Sequence, residues 1–81
     1  MRDLEEELRT EIEVWSKKLE EALKGVKSLD RRGEKLLENI RAYYQDSFHF
    51  RSRSLVKSFE CLIWAWALLE MGKEFGCLST P

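Results

Sequence analysis

Leu4, Leu8, Ile12, Trp15, Leu19, Ala22 and Val26 recur along the start of the chain at steps of three and four. At ~100° per residue these positions fall on one narrow stripe, the mark of an amphipathic helix and not of a strand. The only proline is Pro81, the last residue, so nothing interrupts long helices and a strand-and-turn architecture is disfavoured. The stripe predicts a first helix over about residues 3–27. Asp3 and Glu6 have the spacing of a capping box, and Glu5–Arg9, Glu13–Lys17 and Glu20–Lys24 are acid-first pairs that support its exposed face. Gly25 weakens its end, and Ser28 to Gly33 reads as a turn.

A second helix is expected over about residues 34–50, with Leu36, Ile40, Tyr43, Ser47 and Phe50 on one line and Leu37, Tyr44 and Phe48 widening it. The pattern breaks at Arg51 to Ser54, where Ser54 can cap a third helix over about residues 55–75, closed by Gly76. Short turns set neighbouring helices antiparallel, so the expected fold is all-α, an up-down-up three-helix bundle. The charges agree with it. Asp3, Glu5, Glu6 and Glu7 would share an end with Arg51, Arg53 and Lys57, and the basic first turn would lie near the negative C-terminus of helix three.

Length bounds the rest. The 81 residues make one domain with a sufficient but thin core, burying ~60–65% of the unfolded surface. Charged residues are 36% of the chain and the net charge is −1, so bulk electrostatics gives no reason to bind nucleic acid or an anionic membrane. Asn39 and Gln45 are the only side-chain amides, a composition seen in hyperthermophile proteins. The acidic, helical start from Met1 to Glu5 has no signal or transit character. The apolar run from Cys61 to Leu69 is far short of the ~20 residues that span a bilayer. Cys61 and Cys77 form no metal spacing. On one helix they would stand more than ~20 Å apart, so a reduced, cytoplasmic setting is expected.

Helix three is too apolar for its place. Leu55, Phe59, Leu62, Trp66 and Leu69 form an ordinary core seam, while Trp64, Leu68, Met71 and Phe75 form a second line pointing almost the opposite way. Between them runs a stripe of small residues, Ser58, Cys61, Ala65, Gly72 and Gly76. The apolar arc covers roughly two-thirds of the circumference, wider than one buried stripe needs. Two readings stand. In one, the surplus is consumed by two neighbouring helices, with the small stripe allowing close approach. In the other, Trp64, Leu68, Met71 and Phe75 form an exposed patch that binds a partner protein or a second copy of the chain.

Catalytic constellations are not apparent. His49, the single histidine, falls opposite the Leu36–Ile40–Tyr43 line and faces solvent; with Asp46 it offers two metal ligands, which is too few. Glu60 and Glu70 would stand ~15 Å apart and do not converge for acid–base work. Cys61 lies mid-helix with no base beside it and reads as a small buried residue. No cofactor, metal site or enzymatic role is expected. Two basic groups remain, Lys24, Lys27, Arg31, Arg32 and Lys35 at the first turn and Arg51, Arg53 and Lys57 at the second. They carry the alternative reading, an accessory nucleic-acid binder, although Asp30 and Glu34 interleave the first group and solvated turns explain both.

From Tyr43 to Gly76 the strings YYQDSFHF, LVKSFE, WAWALLEMG and FG resemble a family of small archaeal proteins known as domain of unknown function 357. The resemblance rests on Tyr43, Tyr44 and Asp46 on one helix, and on Ser58, Phe59, Trp64, Ala65, Trp66, Ala67, Leu69, Glu70 and Gly72 on the next. The chain departs from the pattern at Arg51 to Ser54, where Gly-Asp is common, and at Ala67, where glycine is usual. The resemblance implies an archaeal source and a three-helix bundle with a spectrin-like or albumin-binding-domain-like twist. It implies no activity. The function expected from the residues is therefore a non-enzymatic interaction or self-association module acting through the second face of helix three.

Overall fold

Each of three 20-residue helices begins at a side-chain cap. Asp3 accepts a hydrogen bond from Glu6 N–H at the head of α1 (Leu4–Leu23), Asp30 from Gly33 N–H at the head of α2 (Arg31–Phe50), and Ser54 from Lys57 N–H at the head of α3 (Leu55–Glu74). Such caps satisfy amides that have no partner inside the helix. The computed structural model describes residues 3–81; Met1 and Arg2, part of the acidic stretch read above, lie outside the described residues. Two short strands, β1 (Lys27–Ser28) and β2 (Leu78–Ser79), complete the elements.

Contacts fix the helix directions. Ser47 meets Ser58 and Tyr43 meets Trp64, so α2 and α3 run antiparallel. Trp66 Nε1 donates to the Trp15 carbonyl oxygen at 3.2 Å, and Leu4 and Leu8 share a groove with Leu55 and Val56, so α1 runs with α3. The architecture is an all-α three-helix bundle. Ile12 and Leu19 of α1, Leu37 and Ile40 of α2, and Leu62, Ala65 and Leu69 of α3 form its interior.

Two helix boundaries differ from the sequence reading. The first helix stops at Leu23 rather than near residue 27, because Gly25 takes φ +78°, a left-handed conformation that ends a helix. Val26 remains buried as the stripe requires, but from the loop. The second helix starts at Arg31 rather than near residue 34. The Asp30 cap recruits Arg31, Arg32 and Gly33, which have no apolar periodicity of their own, into its first turn.

The strand pair was not anticipated. Lys27 pairs with Ser79 and Ser28 with Leu78, antiparallel, and Leu29 N–H donates to the Cys77 carbonyl at 2.9 Å. This clasp joins the α1–α2 connection to the tail and buries Cys77 and Leu78. The tail turns back at Gly76 (φ +72°), where Cys77 N–H bonds the Gly72 carbonyl at 2.8 Å and Gly76 N–H bonds that of Lys73 at 3.3 Å, a Schellman closure. Gly33 admits the clasp: a β-carbon there would collide with the Cys77 carbonyl oxygen.

Candidate functional site

The small residues of α3 face α2. Ser58, Ala65 and Gly72 are buried at steps of seven; Ser58 meets Ser47 of α2, and Gly72 leaves room for Leu78 of the tail and then Leu36 of α2. Ser47 Oγ donates to the Ser58 carbonyl at 2.9 Å and Ser58 Oγ donates to the Ser47 carbonyl at 2.7 Å. These reciprocal bonds satisfy two hydroxyls that would otherwise be costly in the interior. The bulky seam expected in the core is only partly there. Leu62 and Leu69 are fully buried, whereas Leu55, Phe59 and Trp66 are half-buried. Trp66 packs edge-on against Trp15 of α1, with ring centres 5.7 Å apart.

The second apolar line lies outside this packing, apart from one member. Trp64, Met71 and Phe75 are 55%, 47% and 67% exposed, while Leu68 is half-buried against the core cluster. The Trp64 ring lies nearly parallel to that of Tyr43 on α2, with centres 6.2 Å apart, so one of its faces is occupied and the other is open. Asn39, Tyr43, Asp46, Trp64 and Leu68 line a shallow groove beside it. The structure adds two residues that the sequence reading did not include, Val56 and Ile63, both more than half exposed. The five exposed side chains present apolar surface on the order of 500 Å², the size of the largest patches on soluble monomers.

Charge is unevenly placed along this helix. Its first turn has no acid and includes Lys57. Its C-terminal half carries Glu70 and Glu74, with Glu70 near Lys73 at 3.4 Å. Glu60 and Lys73 interrupt any simple gradient, so Lys57 at one end and Glu74 at the other are the charges that distinguish the two ends.

The other residues singled out from sequence do not converge. Among the described residues, no three His, Cys, Asp or Glu side chains come together as metal ligands. His49 is exposed and lies edge-on to Phe50. Asp46 and Glu60 act on Cys61, whose thiol is pushed above its ordinary value by burial first and by these two carboxylates next. A thiol so held is a poor nucleophile at neutral pH. At the first basic turn, Arg32 pairs with Asp30 at 3.0 Å and Lys24 with Glu21 at 2.9 Å, so those two charges are locally compensated. Among the described residues no helix is long and apolar enough to cross a membrane.

The comparisons bear on this geometry. A family model described as protein of unknown function, DUF357, matches residues 14–78. A crystal structure of a DUF357 protein from Archaeoglobus fulgidus is 44% identical to the chain, covers 98% of it and 100% of its own length, and superposes with a TM-score of 0.88. None of the curated proteins matches.

Proposed function

The chain belongs to the DUF357 family, and we propose that it works by association and not by catalysis, pairing with a second copy of itself through the outward face of α3. The observation that carries the proposal is the exposure of Trp64, Met71 and Phe75 together on one helix face. Trp and Met are enriched in interfaces, and an open patch of this size is costly to leave in water.

A second copy suits the face for two reasons. Trp64 stands at the middle of α3, so an antiparallel pair about a two-fold axis sets Trp64 near its equivalent. The same pairing brings Lys57 of each copy toward Glu70 and Glu74 of the other, an ion-pair complement at each end. With the flanking side chains the contact would reach ~600–800 Å² per copy, between a transient and a standard interface. Glu60, one turn before Trp64, lies between the Val56–Ile63 and Trp64–Met71–Phe75 sides of the face, so such a contact must accommodate its carboxylate.

Sedimentation equilibrium tests the reading. The wild-type chain should dimerise, and Trp64→Glu should be a folded monomer. Lys57→Glu should weaken the dimer and Glu74→Lys in the same chain should restore it, which separates an antiparallel pair from nonspecific stickiness. A wild-type chain that stays monomeric at every concentration contradicts the proposal.

A further inference from the structure

At the end of the bundle where α1 begins and the α2–α3 turn closes, a groove of about 580 Å³ opens. Arg9, Arg51 and Arg53 all line it. Arg9 is paired with Glu5 at 3.1 Å, but among the described residues no carboxylate lies within ion-pair distance of Arg51 or Arg53. Arg51 is half-buried, its guanidinium stacked 4.2 Å from the Phe48 ring centre, and its Nε–H is shut away from solvent with no acceptor. One donor of this guanidinium is therefore unsatisfied within the protein, and no carboxylate neutralises its charge. An adjoining cavity shares Arg9, Arg51 and Leu55 and brings Glu13 to its rim.

The backbone adds donors at the same place. Ser54 caps α3 and lines the groove, and the first-turn amides of Leu55 and Val56 have no partner within the helix. The first turn of α3 has no acidic residue, so the positive end of the helix dipole is not offset by a nearby carboxylate on that helix. Leu4, Leu8, Leu55 and Val56 supply the apolar lining, and Ser52 and Glu5 complete it, with the Glu5 carboxylate neutralised by Arg9.

We propose that this groove binds a small organic phosphate. The phosphate oxygens accept hydrogen bonds from Arg51, Arg53 and the first-turn amides of α3, and the carbon body of the ligand rests on Leu4, Leu8 and Val56. Guanidinium groups match phosphate oxygens in geometry as well as charge. A long nucleic acid fits less well, because the first turn of α1 carries Glu6 and Glu7 beyond the Arg9-paired Glu5, and a polyanion extending past the groove would meet them. The groove does not include Trp64, Met71 or Phe75, and Val56 alone borders both surfaces.

Titration of ¹⁵N-labelled protein with phenyl phosphate, with inorganic phosphate and phenol run separately, tests the proposal by amide chemical shifts. Phenyl phosphate should move the Arg53 to Val56 amides saturably in the millimolar range and more tightly than inorganic phosphate, with added salt weakening the effect. Arg53→Gln, at an exposed position, should weaken binding by about tenfold. The proposal is overturned if no saturable shift appears, if phenol produces the same shifts, or if Arg9→Gln combined with Arg53→Gln leaves the affinity unchanged. A mixed-sequence single-stranded oligonucleotide that moves the same amides more tightly than phenyl phosphate overturns it as well.

Discussion

The two faces of α3 reverse the usual relation between size and burial. On its inner face it presents Ser58, Ala65 and Gly72, small and buried; on its outer flank it presents Trp64, Met71 and Phe75, large and exposed, with Trp64 reaching α2 only through Tyr43. Transfer free energy alone would bury the tryptophan and leave the serine outside. Close helix approach changes the outcome. Small side chains let the backbones come near enough for the Ser47–Ser58 exchange, and the helices then gain contact along their whole length. A large residue in that line would hold them apart. The bulky residues are consequently left on the outside, where they can serve assembly.

Enlarging the buried face should do the most damage. Ala65→Leu places a branched side chain where no space exists and should cost about 3 kcal/mol or more, read from urea denaturation. Ser58→Ala removes one of the reciprocal bonds while keeping the spacing, and should cost about 1 kcal/mol. Trp64→Glu, on the exposed face, should change monomer stability by less than ~1 kcal/mol, with only the Tyr43 stacking lost. If Trp64→Glu destabilises the monomer as much as Ala65→Leu, the contrast between the faces fails.

A pH effect belongs to the α2 cap. The Gly33 N–H first, and then the Arg32 guanidinium, hold the Asp30 carboxyl below its ordinary value of 3.8. A lowered folded pKa means a contribution present above the unfolded value and lost as the pH falls through the folded one. Thermal unfolding followed below about pH 4 should show that loss, and Asp30→Asn, which keeps an accepting oxygen, should reduce it. The smallest expected change is a gain. Ser16 is buried on α1 with a hydroxyl that has no hydrogen-bond partner, so Ser16→Ala should leave stability unchanged or raise it by up to ~1 kcal/mol.

The helices were legible because their apolar periodicity is strong: Leu4 to Ala22, Leu36 to Phe50 and Leu55 to Phe75 carry it plainly. The start of α2 was not, since Arg31, Arg32 and Gly33 are ordered by the Asp30 cap and by no stripe. Strand pairing between Lys27–Ser28 and Leu78–Ser79 is two residues long on each side, too short for alternation to register. Burial of Cys77 follows from that clasp and had no local signal. The sequence did separate the two apolar lines of α3. It could not place Leu68 half inside or add Val56 and Ile63 outside, because those depend on how far α2 wraps around the helix.

The most direct test of this division is fluorescence quenching of Trp64 in a chain carrying Trp15→Phe and Trp66→Phe, followed over a range of protein concentrations. The account predicts ready quenching by iodide in dilute solution and protection as the concentration rises and copies pair. A Trp64 shielded at every dilution would put it in the monomer core, and one quenched equally at every concentration would leave the outward face without the second copy assigned to it.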